Sequence, residues 1–134
     1  MAVGYAPRLP LEKNFEDGCY GLLKNIRSLT QQNLKMLILT APGERMMDPN
    51  YGVGLRRYLF EQDTPELPEK LKGAILRQVS QYMPHLRIEG IGILTPATQR
   101  NIPGNSMQLR IEYAIPAIKE IAFLELDMTP RNMP

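Results

Sequence analysis

At Pro84 the spacing of apolar residues changes from about 3.6 to 2, so helices must precede this point and strands must follow it. Upstream, Leu67, Leu71, Ile75, Val79 and Met83 recur every four residues with Ala74 and Tyr82 beside them, which makes a stripe along one helix face. Thr64-Pro65 or Leu67-Pro68 starts this helix, because proline suits its first turn, and Pro84 ends it. Downstream, Leu86 and Ile88, then Ile91 and Ile93, alternate with polar residues and glycines; the phase slips at Gly90, which predicts a bulge. Met107, Leu109, Ile111, Tyr113 and Ile115 alternate with Gln108, Arg110 and Glu112 in the strongest strand of the chain, which Pro116 breaks. Residues 95–106, with Pro96 and Pro103-Gly104, read as a long hairpin loop between the first two strands. A last strand runs from Ile118 to Met128, with Ile121 and Phe123 on one phase and Leu124, Leu126 and Met128 on the other. A strand apolar on both faces is either central or covered by another chain.

An earlier helix begins near Ser28, where Ser28 and Gln31 have the form of a capping box, and continues through Leu34, Leu37, Ile38 and Ala41. Pro42-Gly43 closes it, since the residue before proline leaves the helical region and glycine accepts a left-handed backbone. Asp48-Pro49-Asn50 reads as a turn, Gly52 and Gly54 as backbone devices, and Leu55, Tyr58, Leu59 and Phe60 as the apolar face of a short helix. Residues 15–27 hold either a short strand or an irregular lead-in. The expected organisation is an N-terminal arm over residues 1–14, extended or ordered against a partner, a single domain over 15–128 and a fraying tail over 129–134. The fold class is α+β: helices packed on one face of a small antiparallel sheet formed mainly by the C-terminal strands.

Chemistry is narrowed mostly by exclusion. The chain has 134 residues, enough for one core without disulfides, and its single cysteine fits a reducing site of synthesis. A formal charge of +2 argues against nucleic acid. No run approaches the roughly 20 apolar residues that span a bilayer, and the N-terminus does not read as a signal peptide. One His and one Cys give no zinc set, and Cys19 with His85 lacks any recognisable nucleophile turn. Gly52-Val-Gly54 lacks the third glycine and the preceding strand of a dinucleotide fingerprint. Glu44, Asp48, Glu61 and Asp63 are the acids from which a glycosidase pair could be drawn, but acids near turns and helix starts usually cap or solvate. Arg45, Arg56 and Arg57 beside Tyr51 and Tyr58 read as a solvated face, paired in part with Glu61. No catalytic residue, metal or cofactor is assigned.

What remains is interaction. A small sheet built from a C-terminal hairpin exposes at least one edge. That edge could take a strand from a neighbour, or the hairpin could be no more than the floor of the core; the residues leave both open.

Several stretches then resemble a known family. Asn33-Leu-Lys-Met-Leu-Ile-Leu-Thr40, Pro42-Gly43-Glu-Arg45, Asp48-Pro49-Asn-Tyr51-Gly52-Val-Gly54-Leu55 and Leu59-Phe60-Glu61 follow, in order, the pattern of the lysozyme-like baseplate wedge subunits of contractile-tailed phages, which have relatives in type VI secretion baseplates. The resemblance covers about residues 28–128.

The resemblance implies a structural, non-enzymatic component of the virion's tail baseplate, made in the host cytoplasm. It implies partners among the core-bundle wedge proteins and the tail sheath subunit, with tube or hub proteins as further candidates, and neither nucleic acid nor membrane. The sheath-facing element would be the last two strands, with Met107, Leu109, Ile111, Tyr113, Ile121, Phe123 and Leu126 near the site. The wedge contact would lie at Met83, Pro84, His85 and Arg87, where the family often carries Glu-Pro-Arg; here the proline matches, the acid is Met83 and the next position is His85. Pro42, Gly43, Pro49, Gly52, Gly54, Leu55, Leu59 and Phe60 would shape the fold. A peptidoglycan-cleaving enzyme, a secretion-system baseplate subunit and an anti-adaptor of similar fold are the alternatives.

Overall fold

The computed structural model describes residues 4–128 except 63, 103 and 105, so the expected tail, Pro103 and Asp63 lie outside the described residues. The chain divides into two compact units, Met1–Lys35 and Met36–Pro134, and the boundary falls inside a helix.

In the first unit, the strand β1 (Ala6–Pro7) pairs antiparallel with β2 (Leu22–Leu23). Tyr5 N–H donates to the Leu23 carbonyl at 2.9 Å and Arg8 N–H to the Gly21 carbonyl at 2.8 Å. Of the two readings of residues 15–27, the short strand is the one found. Helix α1 (Ile26–Leu39) follows. Its cap is Asn25 and not Ser28: the Asn25 Oδ1 accepts the Arg27 N–H at 3.0 Å, and the Asn25 carbonyl accepts the Leu29 N–H. Ser28 lies inside the first turn. Asparagine accepts from the second helical N–H as well as serine does, and here it stands where the chain enters the helix. The Gln32 carboxamide clamps the strand before it, donating to the Pro7 carbonyl at 3.1 Å and accepting from Leu9 N–H at 3.0 Å.

The second unit holds the end of α1, the short helix α2 (Leu55–Leu59), the helix α3 (Leu67–Tyr82) and three strands, β3 (Arg87–Leu94), β4 (Met107–Ile115) and β5 (Glu120–Met128). Proline stands in the first turn of α3, where its missing N–H costs nothing. Leu67, Leu71, Ala74, Ile75, Val79 and Met83 are buried, so the stripe read from the sequence is the core face. The strands form one antiparallel sheet in the order β3-β4-β5. Burial alternates along β4 without a break, and Met107, Leu109, Ile111, Tyr113 and Ile115 point into the core with Ile93, Ala122, Leu124, Leu126 and Met128. α3 packs against β3 and α2 against α3, which is the expected α+β arrangement.

Two details of the sheet differ in kind. The predicted bulge is present: Ile88 pairs with Tyr113 and Gly90 with Glu112, which leaves Glu89 as the extra residue. The last strand starts at Glu120, two residues later than Ile118, because residues 116–119 make the turn; Ile118 N–H bonds the Ile115 carbonyl at 3.2 Å and Lys119 takes the left-handed conformation at φ 53°. β4 is central and β5 is an edge, so the apolar residues on both faces of β5 are not explained by a central position.

Candidate functional site: a closed helix end and an open sheet edge

In the second unit, residues 40–55 close the end of α1. The last carbonyls of a helix have no partner within it. Here a later loop supplies them: Val53 N–H donates to the Leu37 carbonyl at 3.1 Å and Gly54 N–H to the Thr40 carbonyl at 2.9 Å. The loop must therefore pass directly over the helix end. Gly52, Gly54 and Gly43 take φ of 111°, 73° and 92°, and a Cβ on Gly52 would overlap the Thr40 oxygen. Leu55 then drops into the core, wholly buried. Gly43 N–H reaches the Pro49 carbonyl at 2.8 Å and closes the turn between them.

Side chains fasten the loop to α3. Gln78 donates its amide to the Asn50 carbonyl at 3.0 Å and accepts the Gly52 N–H at 3.1 Å. Tyr51 stands edge-on to Tyr82 at 4.9 Å, and the Arg45 guanidinium lies over Tyr51 at 3.8 Å. Burial, then a hydrogen bond to Asp48 and that carboxylate's charge, push the Tyr82 phenol above its ordinary pKa. Of the expected fold-shaping residues, Pro42, Gly43, Pro49, Gly52, Gly54 and Leu55 sit in this device, and Leu59 is half-buried. Phe60 is 81% exposed. Gln78 and the carbonyl of Thr40 were invisible in the sequence, since a polar residue on an exposed helix flank carries no signal of its backbone partner.

The expected acids are occupied with structure. Glu44 accepts the Ala41 N–H at 3.1 Å, and Asp48 accepts from Asn50 N–H at 3.3 Å as well as from Tyr82. Glu61 lines a concavity with Tyr58, Leu67 and Thr95, and its carboxylate pairs with Lys70 at 3.2 Å rather than with Arg56 or Arg57. Cys19 is exposed in the first unit, and His85 is exposed in the second. No group of three or more His, Cys, Asp or Glu fit to hold a metal occurs among the described residues. Among the described residues no helix is long and apolar enough to cross a membrane.

The expected sheath-facing residues divide. Met107, Leu109, Ile111, Tyr113 and Leu126 are all buried, so their side chains belong to the core face of the sheet. Ile121 and Phe123 are 59% and 45% exposed on the opposite face. Arg110 lies over the Phe123 ring at 4.7 Å and reaches Glu125 at 3.5 Å, a cross-strand cluster on that outer face. At the expected wedge corner Met83 is buried, whereas Pro84, His85 and Arg87 are exposed, and Arg87 pairs with Glu89 at 3.3 Å.

Comparison with known proteins fits this geometry. The family model of baseplate wedge protein gp25 matches residues 25–119, which includes the closed helix end, α3, β3 and β4. Among solved structures, a proposed tail lysozyme from Geobacter sulfurreducens is similar, with a TM-score of 0.66 and 16% identity over 81% of this chain and 94% of that one. A chain of the anti-feeding prophage baseplate, solved by cryo-EM with sixfold symmetry imposed, gives a TM-score of 0.67 and 21% identity over 82% of this chain and 83% of that one. No curated protein sequence matches.

Proposed function

The chain belongs to the baseplate wedge protein gp25 family, and on that premise we propose that it is a structural subunit which starts the sheath of a contractile tail by offering its C-terminal sheet to a sheath strand. The observation that carries this reading is β5: an edge strand whose outer-face residues Ile121 and Phe123 are apolar and exposed. Edge strands of self-sufficient proteins are normally blunted by proline or bulges, among other devices, and β5 has neither of these two. An added strand would satisfy the outward backbone groups and cover both side chains. The exposed corner Pro84, His85 and Arg87 would hold the core-bundle wedge proteins, with Met83 behind it as packing. The likeness to the anti-feeding prophage baseplate supports placement in a contractile particle, in a phage or in a related injection system.

Deleting the gene in the native particle source and viewing tails by negative-stain electron microscopy tests this. Bare tubes or unassembled baseplates, with no extended sheath, are expected. Complete sheathed tails would overturn the proposal. A proline at Ile111 is no test of templating, since that residue is wholly buried in the central strand and its loss unfolds the core.

A further inference from the structure

The sheet has two edges, and they are unlike. Along β3 the register slips at Glu89, Gly90 and Gly92 present no side chains, and the Arg87–Glu89 ion pair sits at the start. Along β5 nine consecutive residues, Glu120 to Met128, pair with β4 without a shift, and no proline interrupts them. A regular edge continues a ladder, whereas a bulge twists the backbone away from one. Among the described residues no strand lies on the far side of β5.

The outer face of β5 carries an ordered pattern. Ile121, Phe123, Glu125 and Asp127 occupy it in sequence, and all four are exposed. The half next to the turn is apolar and the other half is acidic. Glu125 shares its charge with Arg110, while Asp127 has no ion-pair partner among the described residues. In an antiparallel pair, residues directly opposite each other lie on the same face, where opposite charges attract and like charges repel. This sheet is antiparallel throughout, and uniform sheets are favoured.

Resting on the strand-addition reading above, we infer that the outer edge of β5 is the adding edge, and that it selects an extended partner segment whose alternate residues run basic, basic, apolar, apolar. Running antiparallel, that segment meets Asp127 and Glu125 with its first two outer-face residues, and Phe123 and Ile121 with the next two. Its intervening residues lie on the core face beside Leu126, Leu124 and Ala122, where small or apolar side chains fit. The acidic half sets direction and register; the apolar half supplies contact area.

Two synthetic seven-residue peptides test this by NMR titration of the isotope-labelled full chain: Lys-Thr-Lys-Thr-Val-Thr-Val and Glu-Thr-Glu-Thr-Val-Thr-Val. The lysine peptide should shift amides along Glu120–Met128 and bind about tenfold tighter than its acidic counterpart at low salt. The double variant E125K/D127K should stay folded, with a small fall in melting temperature because a lysine at position 125 faces Arg110, and should reverse the preference. Shifts along Arg87–Leu94, equal binding of both peptides, or binding of neither would overturn the inference. Returning E125K/D127K to the deletion strain separates this from the parent proposal. Baseplates without sheath are expected; fully sheathed particles from the variant, alongside bare tubes from the deletion, would overturn the edge and charge assignment and leave sheath initiation standing.

Discussion

The backbone of Gly52 lies so close to the Thr40 carbonyl that a side chain on it would overlap the oxygen. That contact joins two stretches of the family pattern, the Leu-Thr end of α1 and the Gly-Val-Gly turn. It gives the pattern a physical reason: the second stretch covers the carbonyls that the first leaves open. Gly52→Ala combines a positive φ with a steric overlap against backbone. We expect a loss of about 2–4 kcal/mol and a fall in melting temperature of roughly 10 °C. Gly73→Ala is the control. Gly73 is exposed within α3 and a Cβ there touches nothing, so alanine should stabilise by about 0.5–1 kcal/mol. Urea denaturation of the two variants reads both signs; equal effects would refute the account.

Gln78 serves the same loop from the other side. Removing its carboxamide leaves the buried Gly52 N–H without its acceptor. Gln78→Ala should cost about 1–3 kcal/mol. Gln78→Glu keeps the acceptor but loses the donor to Asn50, and should fall between the wild type and the alanine variant. A glutamate variant less stable than the alanine one would show that the clamp is not what this residue provides.

How far the sequence could be read follows from what each signal reports. Periodicity reports burial, so the stripe of α3, the alternation of β4 and the bulge at Gly90 were legible. Strand order is different. The two-phase apolar pattern of β5 fitted either a central strand or a covered edge, and only the pairing decides that β4 is central. The family resemblance, not periodicity, set Met107, Leu109, Ile111, Tyr113 and Leu126 near a partner, and their side chains are buried in the core. The glycines announced a special backbone and Thr40 stood in the family pattern, but nothing in the sequence joined them to each other or to Gln78.

The start of α1 shows the same limit at the scale of one turn. Ser28 and Gln31 have the composition of a capping box, yet Asn25 makes the cap. Asn25→Ala should destabilise by about 1 kcal/mol. Ser28→Ala, inside the helix, should be neutral or stabilising by a few tenths of a kcal/mol, since alanine is the better helix former. Thermal melts of both variants decide between the two caps, and a larger loss at Ser28 would restore the sequence-based one.

In the first unit, Asp17 accepts an ion pair from Lys24 at 2.6 Å. The hydrogen bond from Lys24 lowers the Asp17 pKa, against partial desolvation, and the same partner raises that of Lys24. A carboxyl whose folded pKa is depressed contributes stability above its unfolded value, near 4, and loses it as pH falls through the folded value. A lysine whose folded pKa is raised contributes below its unfolded value, near 10.4, and loses that at higher pH. The β1–β2 unit should therefore loosen only below about pH 4 or above about pH 10. A carbon-detected carboxyl titration should give Asp17 a midpoint below 3.8, moving upward in Lys24→Ala. An unmoved midpoint would mean the pair does not hold in solution.

One structural relative carries a lysozyme description, so hydrolysis needs its own test. Glycoside cleavage requires two carboxyl groups at a set spacing, one of them kept protonated. Glu44 and Asp48 are tied to loop amides, and Glu61 lines a concavity but is held by Lys70. Each of these carboxylates is thus already engaged with a partner of the fold. Purified protein should therefore release no soluble glycan from peptidoglycan above a buffer control, and Glu61→Gln should change nothing in that assay. Turnover by the wild type that Glu61→Gln abolishes would make the concavity beside α2 an active site and displace the purely structural role.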